Sequence, residues 1–150
     1  MFGEAASSPR ELITRLQSLM LTSVLRQQPL PGQTQPVWFP DLAFLTESPS
    51  VLISDANIPG QFDIVGLDKP VEFVPESEIR EAAARSGDRV YVRFQPAQEV
   101  EGQIRIVMEV RIAPTEPDLQ PLGLGGIRAT FTRKPGGSWE VTESPAVFGI

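Results

Sequence analysis

Arginines recur at the polar positions of alternating apolar and polar segments in the second half of the chain, with the single tyrosine of the sequence among them. Residues two apart in a β-strand share a face, so these side chains are predicted to lie together on the polar side of a sheet. Arginine and tyrosine are enriched at protein interfaces, and a guanidinium group binds a carboxylate through paired hydrogen bonds. With Phe148 from the apolar C-terminal segment, the predicted partner-binding residues are Arg89, Tyr91, Arg93, Arg105, Arg111, Arg128 and Phe148.

The identity of the partner is predicted from charge. Glu99 and Glu109 could neutralise a solvated arginine face, but two carboxylates are too few for four or five guanidinium groups, so an outside acid is predicted. Nucleic acid is excluded as that partner, because residues 41–81 hold nine acidic and two basic residues and no basic block offsets them. An acidic protein surface is therefore the predicted partner, with ligand binding by the arginines as a further alternative.

Residue types that do catalysis are scarce. The chain has no histidine and no cysteine, which removes the Ser-His-Asp arrangement, a cysteine nucleophile and most zinc sites. The candidate acids and bases that remain are Asp55, Asp63, Asp68, Lys69 and Tyr91. A carboxylate in an apolar pocket could act as a base, yet these acids are equally typical of a solvated surface. No catalytic residue is predicted.

Two loops resemble ligand-binding motifs in part. Residues 55–66 place Asn57 and Gly60 at calcium-loop positions, but Gly66 stands where that loop needs a bidentate glutamate. The glycines of residues 122–128 do not open a helix after a strand, so they do not form a dinucleotide loop. They are predicted to bend or bulge a strand. Neither a metal nor a cofactor is predicted.

Two helices are predicted to position the sheet. The first begins at Ser8 and Pro9, a cap followed by a residue suited to the first turn, and ends before Pro29. The second is the segment PESEIREAAARSGD, which has a narrow apolar face around Ile79 and ends at Gly87. The core-facing residues of the first helix are Leu12, Leu16, Leu19 and Met20.

Alternation of apolar and polar residues predicts a four-strand antiparallel meander from Gly87 onward. Its core-facing residues are Val90, Val92, Phe94, Ile104, Ile106, Met108, Val110, Phe131, Trp139 and Val141. VLISDA and PVEFV are short predicted strands in the proline-rich residues 28–75. The predicted fold is a single α+β domain over residues 1–150, with one face of its antiparallel sheet covered by both helices.

The segment GGIRATFTRKPGGSWEVTES resembles the terminal hairpin of cystatin-like and NTF2-like α+β domains, where a tryptophan after a glycine-rich turn seals the core. The stretch from Pro75 to Ile112 also resembles uncharacterised bacterial proteins, cyanobacterial ones among them, of the same general build. The resemblance covers residues 76–145 and implies helices packed on a curved antiparallel sheet. Members of this class include isomerases, dehydratases, small-ligand binders and assembly factors, so the resemblance implies a fold and no single activity.

The sequence thus predicts a non-catalytic binding or accessory subunit of a protein complex. Its contact surface would be the polar sheet face or the apolar terminal residues Phe2, Val147, Phe148 and Ile150. The alternative is a small-ligand-binding or isomerase-like protein with a carboxylate in a pocket between helix and sheet. A cytoplasmic location is predicted, since the chain has no cysteine, no secretory leader and no membrane-spanning run. A homo-oligomer is compatible with either function.

Overall fold

The computed structural model of the protein describes residues 9–38, 42–60, 62 and 67–149. Within them, helices pack on an open eight-stranded sheet whose strand pairs are mostly antiparallel, which is a mixed α+β architecture. The predicted cap Ser8, the loop residue Asp63, and the terminal residues Phe2 and Ile150 lie outside the described residues. The elements are α1 (Pro9–Leu25), α2 (Leu42–Thr46), β1 (Val51–Ser54), β2 (Val71–Val74), α3 (Glu76–Ser86), β3 (Arg89–Phe94), β4 (Gln98–Val100), β5 (Gln103–Ala113), β6 (Leu122–Arg133), β7 (Trp139–Val141) and β8 (Ala146–Gly149).

The predicted four-strand meander is confirmed. β3, β5, β6 and β7 are neighbours in that order, and each adjacent pair is antiparallel. The register between β5 and β6 shifts at Val110, opposite the glycines of β6, so the predicted bulge is also present. β8 was not predicted, and it pairs with the first half of β6 while β7 pairs with the second half.

The prediction of a wholly antiparallel sheet is wrong at one edge, where β2, β1 and β3 run parallel. β2, α3 and β3 follow one another along the chain as a strand, a helix and a strand. An 11-residue helix spans about 16 Å, so it returns the chain to the end at which β2 began. The next strand then runs parallel to the first, as in other crossovers of this kind.

The main core lies between α1 and one face of the sheet, here called the core face. α1 buries Leu16, Met20 and Val24 against alternate residues of the meander, among them Phe94 and Ile106, as predicted. Of the other predicted core residues, Leu12, Leu19, Val90 and Trp139 are only partly buried and pack at the margin of this cluster. In the described part of the chain, no helix has the length and apolar character that crossing a membrane requires.

α3 does not share the core face with α1, contrary to the prediction. Its buried residues Ile79 and Ala83 pack on Tyr91 and Ala113, on the opposite side of the sheet, here called the second face. Tyr91 and Val92 are neighbours in β3 and therefore point to opposite faces. The sheet is thus covered on both sides at its parallel edge, and Tyr91 is completely buried.

The segment after α1 lies along the outer edge of β7. The N–H of Val141 donates to the carbonyl of Pro31 at 2.8 Å, and the Gln33 side-chain amide donates to the Val141 carbonyl at 2.6 Å. Gly32 between them has φ of +86°, and a Cβ there would lie 2.8 Å from the Val141 oxygen. Only glycine fits this approach without strain, so residues 31–33 close the edge of β7.

Replacing Ile106 with alanine should lower the free energy of unfolding by about 2–5 kcal/mol, because Ile106 is 1% exposed and its removal leaves a cavity in the main core. The measurement is the denaturant midpoint at unchanged slope. Val107→Ala, on the half-buried second face of the same strand, is the matched control and should cost less. An unchanged midpoint for Ile106→Ala would contradict the assignment of the core face.

Candidate functional site

The predicted partner-binding side chains lie on the second face, in rows that cross the strands. Arg93 of β3 is opposite Glu109 of β5, which is opposite Gly126 of β6. The next row places Val107 opposite Arg128, and the following one places Arg105 opposite Thr130. Residues directly opposite in a ladder have their side chains on the same side of the sheet. The predicted arginines therefore do share one face, but α3 covers only part of it.

Under α3, the carboxylate of Glu76 gathers three of the predicted side chains. The hydroxyl of Tyr91 donates to Glu76 Oε2. Arg93 Nε lies 3.6 Å from Glu76 Oε1, and Arg111 Nε lies 3.9 Å from Glu76 Oε2. Glu76 occupies the first turn of α3, where the helix dipole also favours a negative charge. Sequence reasoning missed Glu76, although its place directly after Pro75 at a helix start was a usable signal.

A second carboxylate completes this network. Glu109 is 8% exposed, and its Oε2 lies 3.3 Å from Arg111 Nη1. The Gln95 side-chain amide donates to Glu109 Oε1. Two carboxylates therefore neutralise two guanidinium groups inside the chain. Glu99, expected to help, is opposite Ile104, whose side chain is in the main core, so Glu99 belongs to the other face.

The open part of the second face holds the arginines that this network leaves out. Arg105 and Arg128 are both exposed. Arg105 Nη1 donates to Gln98 Oε1 at 3.4 Å, and among the described residues Arg128 has neither a hydrogen bond nor an ion pair. We call this surface the open half, and it consists of Arg105, Val107, Arg128, Thr130, Thr132 and Phe148.

Phe148 reaches the open half because β6 has a glycine at the adjacent position. Gly126 pairs with Phe148, and a Cβ on Gly126 would lie 2.6 Å from the Phe148 ring and 2.3 Å from the Met108 carbonyl oxygen. The half-buried ring therefore occupies the space that a side chain at Gly126 would need. The large apolar side chains that are exposed lie outside the open half: Trp38, Phe44, Val100, Leu119, Leu122 and Val147.

Arg89 lies neither in the Glu76 network nor in the open half. It lines a groove beside α3, here called the acidic groove. Its guanidinium donates to the carbonyl of Gly87 at 3.1 Å. The groove has a volume of about 820 Å³ and an apolar floor that includes Leu52, Val74 and Ile79. Its charged lining residues are Glu72, Glu78, Glu81, Asp88, Arg85 and Arg89. Hydrogen bonds from the hydroxyl and the N–H of Thr115, both 2.7 Å, lower the pKa of Asp88.

The candidate catalytic acids do not gather into a site. Asp55 and Asp68 are exposed, and Lys69 Nζ donates to the carbonyls of Thr46 and Ser48. Among the described residues, no three carboxylates are arranged so that they could hold a metal ion. Unlike these exposed acids, Tyr91 is buried. Burial raises the pKa of its phenol above the ordinary 10.0, and the hydrogen bond to Glu76 raises it further.

Comparisons with family models, with curated proteins and with solved structures find no match to this chain.

The phenol of Tyr91 should stay neutral above its ordinary pKa of 10.0 in the folded protein and should ionise near that value in denaturant. It is the only tyrosine, so the ultraviolet absorbance of phenolate reports it alone. A raised folded pKa means that its contribution to stability is complete below about pH 10 and is lost as the pH rises towards the folded value. Tyr91→Phe should remove this part of the alkaline loss, and a native titration at 10.0 would contradict the buried contact with Glu76.

Gly126→Ala should destabilise the protein by about 1–3 kcal/mol, since the added methyl overlaps the Met108 carbonyl and the Phe148 ring. Gly149→Ala is the matched control in β8, because a Cβ there meets nothing within 4 Å. Denaturant unfolding measures the stability, and hydrogen exchange of the β8 amides reports whether that strand has detached. Equal effects of the two substitutions would contradict the packing of Phe148 over Gly126.

Proposed function

We propose that this chain is a non-catalytic binding or accessory subunit that contacts an acidic protein surface through the open half. The observation that carries the proposal is the unequal neutralisation of the arginines. Arg93 and Arg111 have Glu76 and Glu109 as counterions inside the chain. Arg105 and Arg128 stand exposed on a part of the sheet that no described helix covers.

The chemistry of the open half suits a carboxylate-bearing partner. A guanidinium group presents a planar fork of donors that matches a carboxylate, and it keeps its charge at any physiological pH. Around the two guanidinium groups, Thr130 and Thr132 offer hydroxyl groups, while Val107 and Phe148 offer apolar contact area. A mixture of this kind, with arginine and an aromatic ring, is typical of protein interfaces.

The ligand-pocket alternative has less support. A carboxylate does lie between a helix and the sheet, namely Glu76, but Tyr91 and two arginines engage both of its oxygens. The acidic groove is large enough for a small ligand, yet Glu76 is not among its lining residues. Between α1 and the core face, apolar side chains fill the space, and Gln17 is the buried polar residue of α1.

Reversing both exposed charges, as Arg105→Glu with Arg128→Glu, should abolish capture of the partner and leave folding intact, because both side chains are exposed. The measurement is affinity capture from an extract of the source organism, with mass spectrometry and with denaturant unfolding as the folding check. Arg93 and Arg111 are unsuitable for this test, since their reversal would also break the contacts with Glu76.

The matched control is Arg15→Glu with Arg26→Glu, which makes the same change in net charge at exposed positions of α1 and of the residue after it. This control should capture the same partner as the wild type, with the same loss at high salt. Normal capture by the Arg105 and Arg128 variant at low salt would contradict the proposal and would direct attention to the exposed Val147 of β8.

A further inference from the structure

We infer that the acidic surface that fits the open half is carried by a second copy of this chain, so that the protein forms a two-fold symmetric dimer through its second face. The inference rests on the proposed function, because it assigns the partner of the same surface. It draws on two properties of the second face, which are its shape and the distribution of its charges.

The second face is stepped. α3 packs over Tyr91 of β3 and over Arg111 and Ala113 at the C-terminal end of β5, whereas the open half lies over the N-terminal half of β5 and over β6. A strand rises about 3.4 Å per residue, so Arg105 of the open half lies about 20 Å along β5 from Arg111, which contacts Glu76 of α3. A helix stands about 10 Å above the sheet on which it packs. One side of the face is therefore raised by a helix, and the other side is lower by about the thickness of one.

A two-fold axis lying in the plane of the interface would place the raised part of one copy against the lower part of the other. Rotation about such an axis turns the second copy face to face and exchanges its left and right sides. The α3 of each copy then lies over the open half of the other. In such an isologous contact the same pair of surfaces meets twice, and the assembly closes at two copies.

The charges follow the same division. The charged residues lining the acidic groove are four acids and two arginines, which gives −2. The open half has Arg105 and Arg128, and Glu140 of β7 lies opposite Thr132 at its border, which gives +1. Glu78 and Glu81 are exposed on α3 and would lie closest to the partner's arginines. The apolar floor of the groove, including Leu52 and Val74, suits the aliphatic stem of an arginine whose guanidinium reaches the rim.

A second copy satisfies both surfaces at once, whereas an unrelated acidic protein would occupy the open half and leave the acidic groove without a counterpart. A standard interface would bury about 800 Å² on each partner, which is about a tenth of the 8371 Å² accessible surface of this chain. Because the contact is led by charge, it should weaken as salt is added.

The test is sedimentation velocity over a range of protein and salt concentrations, with two sets of charge reversals. The first variant is Arg105→Glu with Arg128→Glu, and the second is Glu78→Arg with Glu81→Arg. Each variant alone brings like charges together at both contacts and should weaken self-association by roughly 10- to 100-fold. An equimolar mixture of the two variants restores opposite charges at both contacts and should form heterodimers. Circular dichroism and denaturant unfolding establish that each variant is folded.

The control variant, Arg15→Glu with Arg26→Glu, should dimerise as the wild type does. A mixture that stays monomeric overturns the inference, as does a wild-type dimer that neither reversal weakens. A wild-type chain that is monomeric at about 100 μM also overturns it. If extract capture then still depends on Arg105 and Arg128, the proposed function stands with a foreign partner, and if it does not, both proposals fall.

Discussion

The ionic contact of Glu76 with Arg93, Arg111 and the Tyr91 hydroxyl determines how the second face is built. α3 buries little apolar surface of its own, since Ile79 and Ala83 are its buried residues. Burial of one isoleucine side chain is worth about 1.5–3 kcal/mol, which is a small anchor for an 11-residue helix. The carboxylate supplies what the apolar contact lacks, and it satisfies a phenol that has no access to water.

The same contact divides the arginines by role. Without Glu76, Arg93 would lose its counterion and Arg111 would keep only Glu109. With it, Arg93 and Arg111 are held inside the chain, and Arg105 and Arg128 are the exposed arginines of the open half. The site on which the proposed function rests therefore consists of the arginines outside this network, and it lies beyond the first residue of α3, Glu76.

The regular parts of the fold were predictable from sequence because their periodic patterns repeat over many residues. Nine residues of alternation in β5 and four turns of apolar spacing in α1 identify the meander, the first helix and most of the main core. β1 and β2 have four residues each, which is too short for a pattern to establish how they pair. β1 is also buried almost throughout, so its sequence does not alternate between apolar and polar residues. The grouping of arginines on one face also followed from alternation.

Contacts that join distant parts of the chain were not predictable in this way. Glu76 and Tyr91 are 15 residues apart, and they meet because α3 brings the chain back across the sheet. Tyr91 falls at a polar position of β3, and its burial depends on the helix that packs over it. β8 is a four-residue strand with a glycine, and it is defined by its pairing with β6 rather than by any pattern of its own.

The closure of β7 by residues 31–33 bears on how this protein avoids aggregation. A strand at the border of a sheet presents unpaired N–H and C=O groups that can recruit strands from other molecules. Here the Val141 N–H is already bonded to Pro31, and the Val141 carbonyl already accepts from Gln33. Proline has no N–H to extend a ladder. The loop that follows α1 thus caps the free edge of β7 and limits growth by strand addition there, while it leaves the second face uncovered.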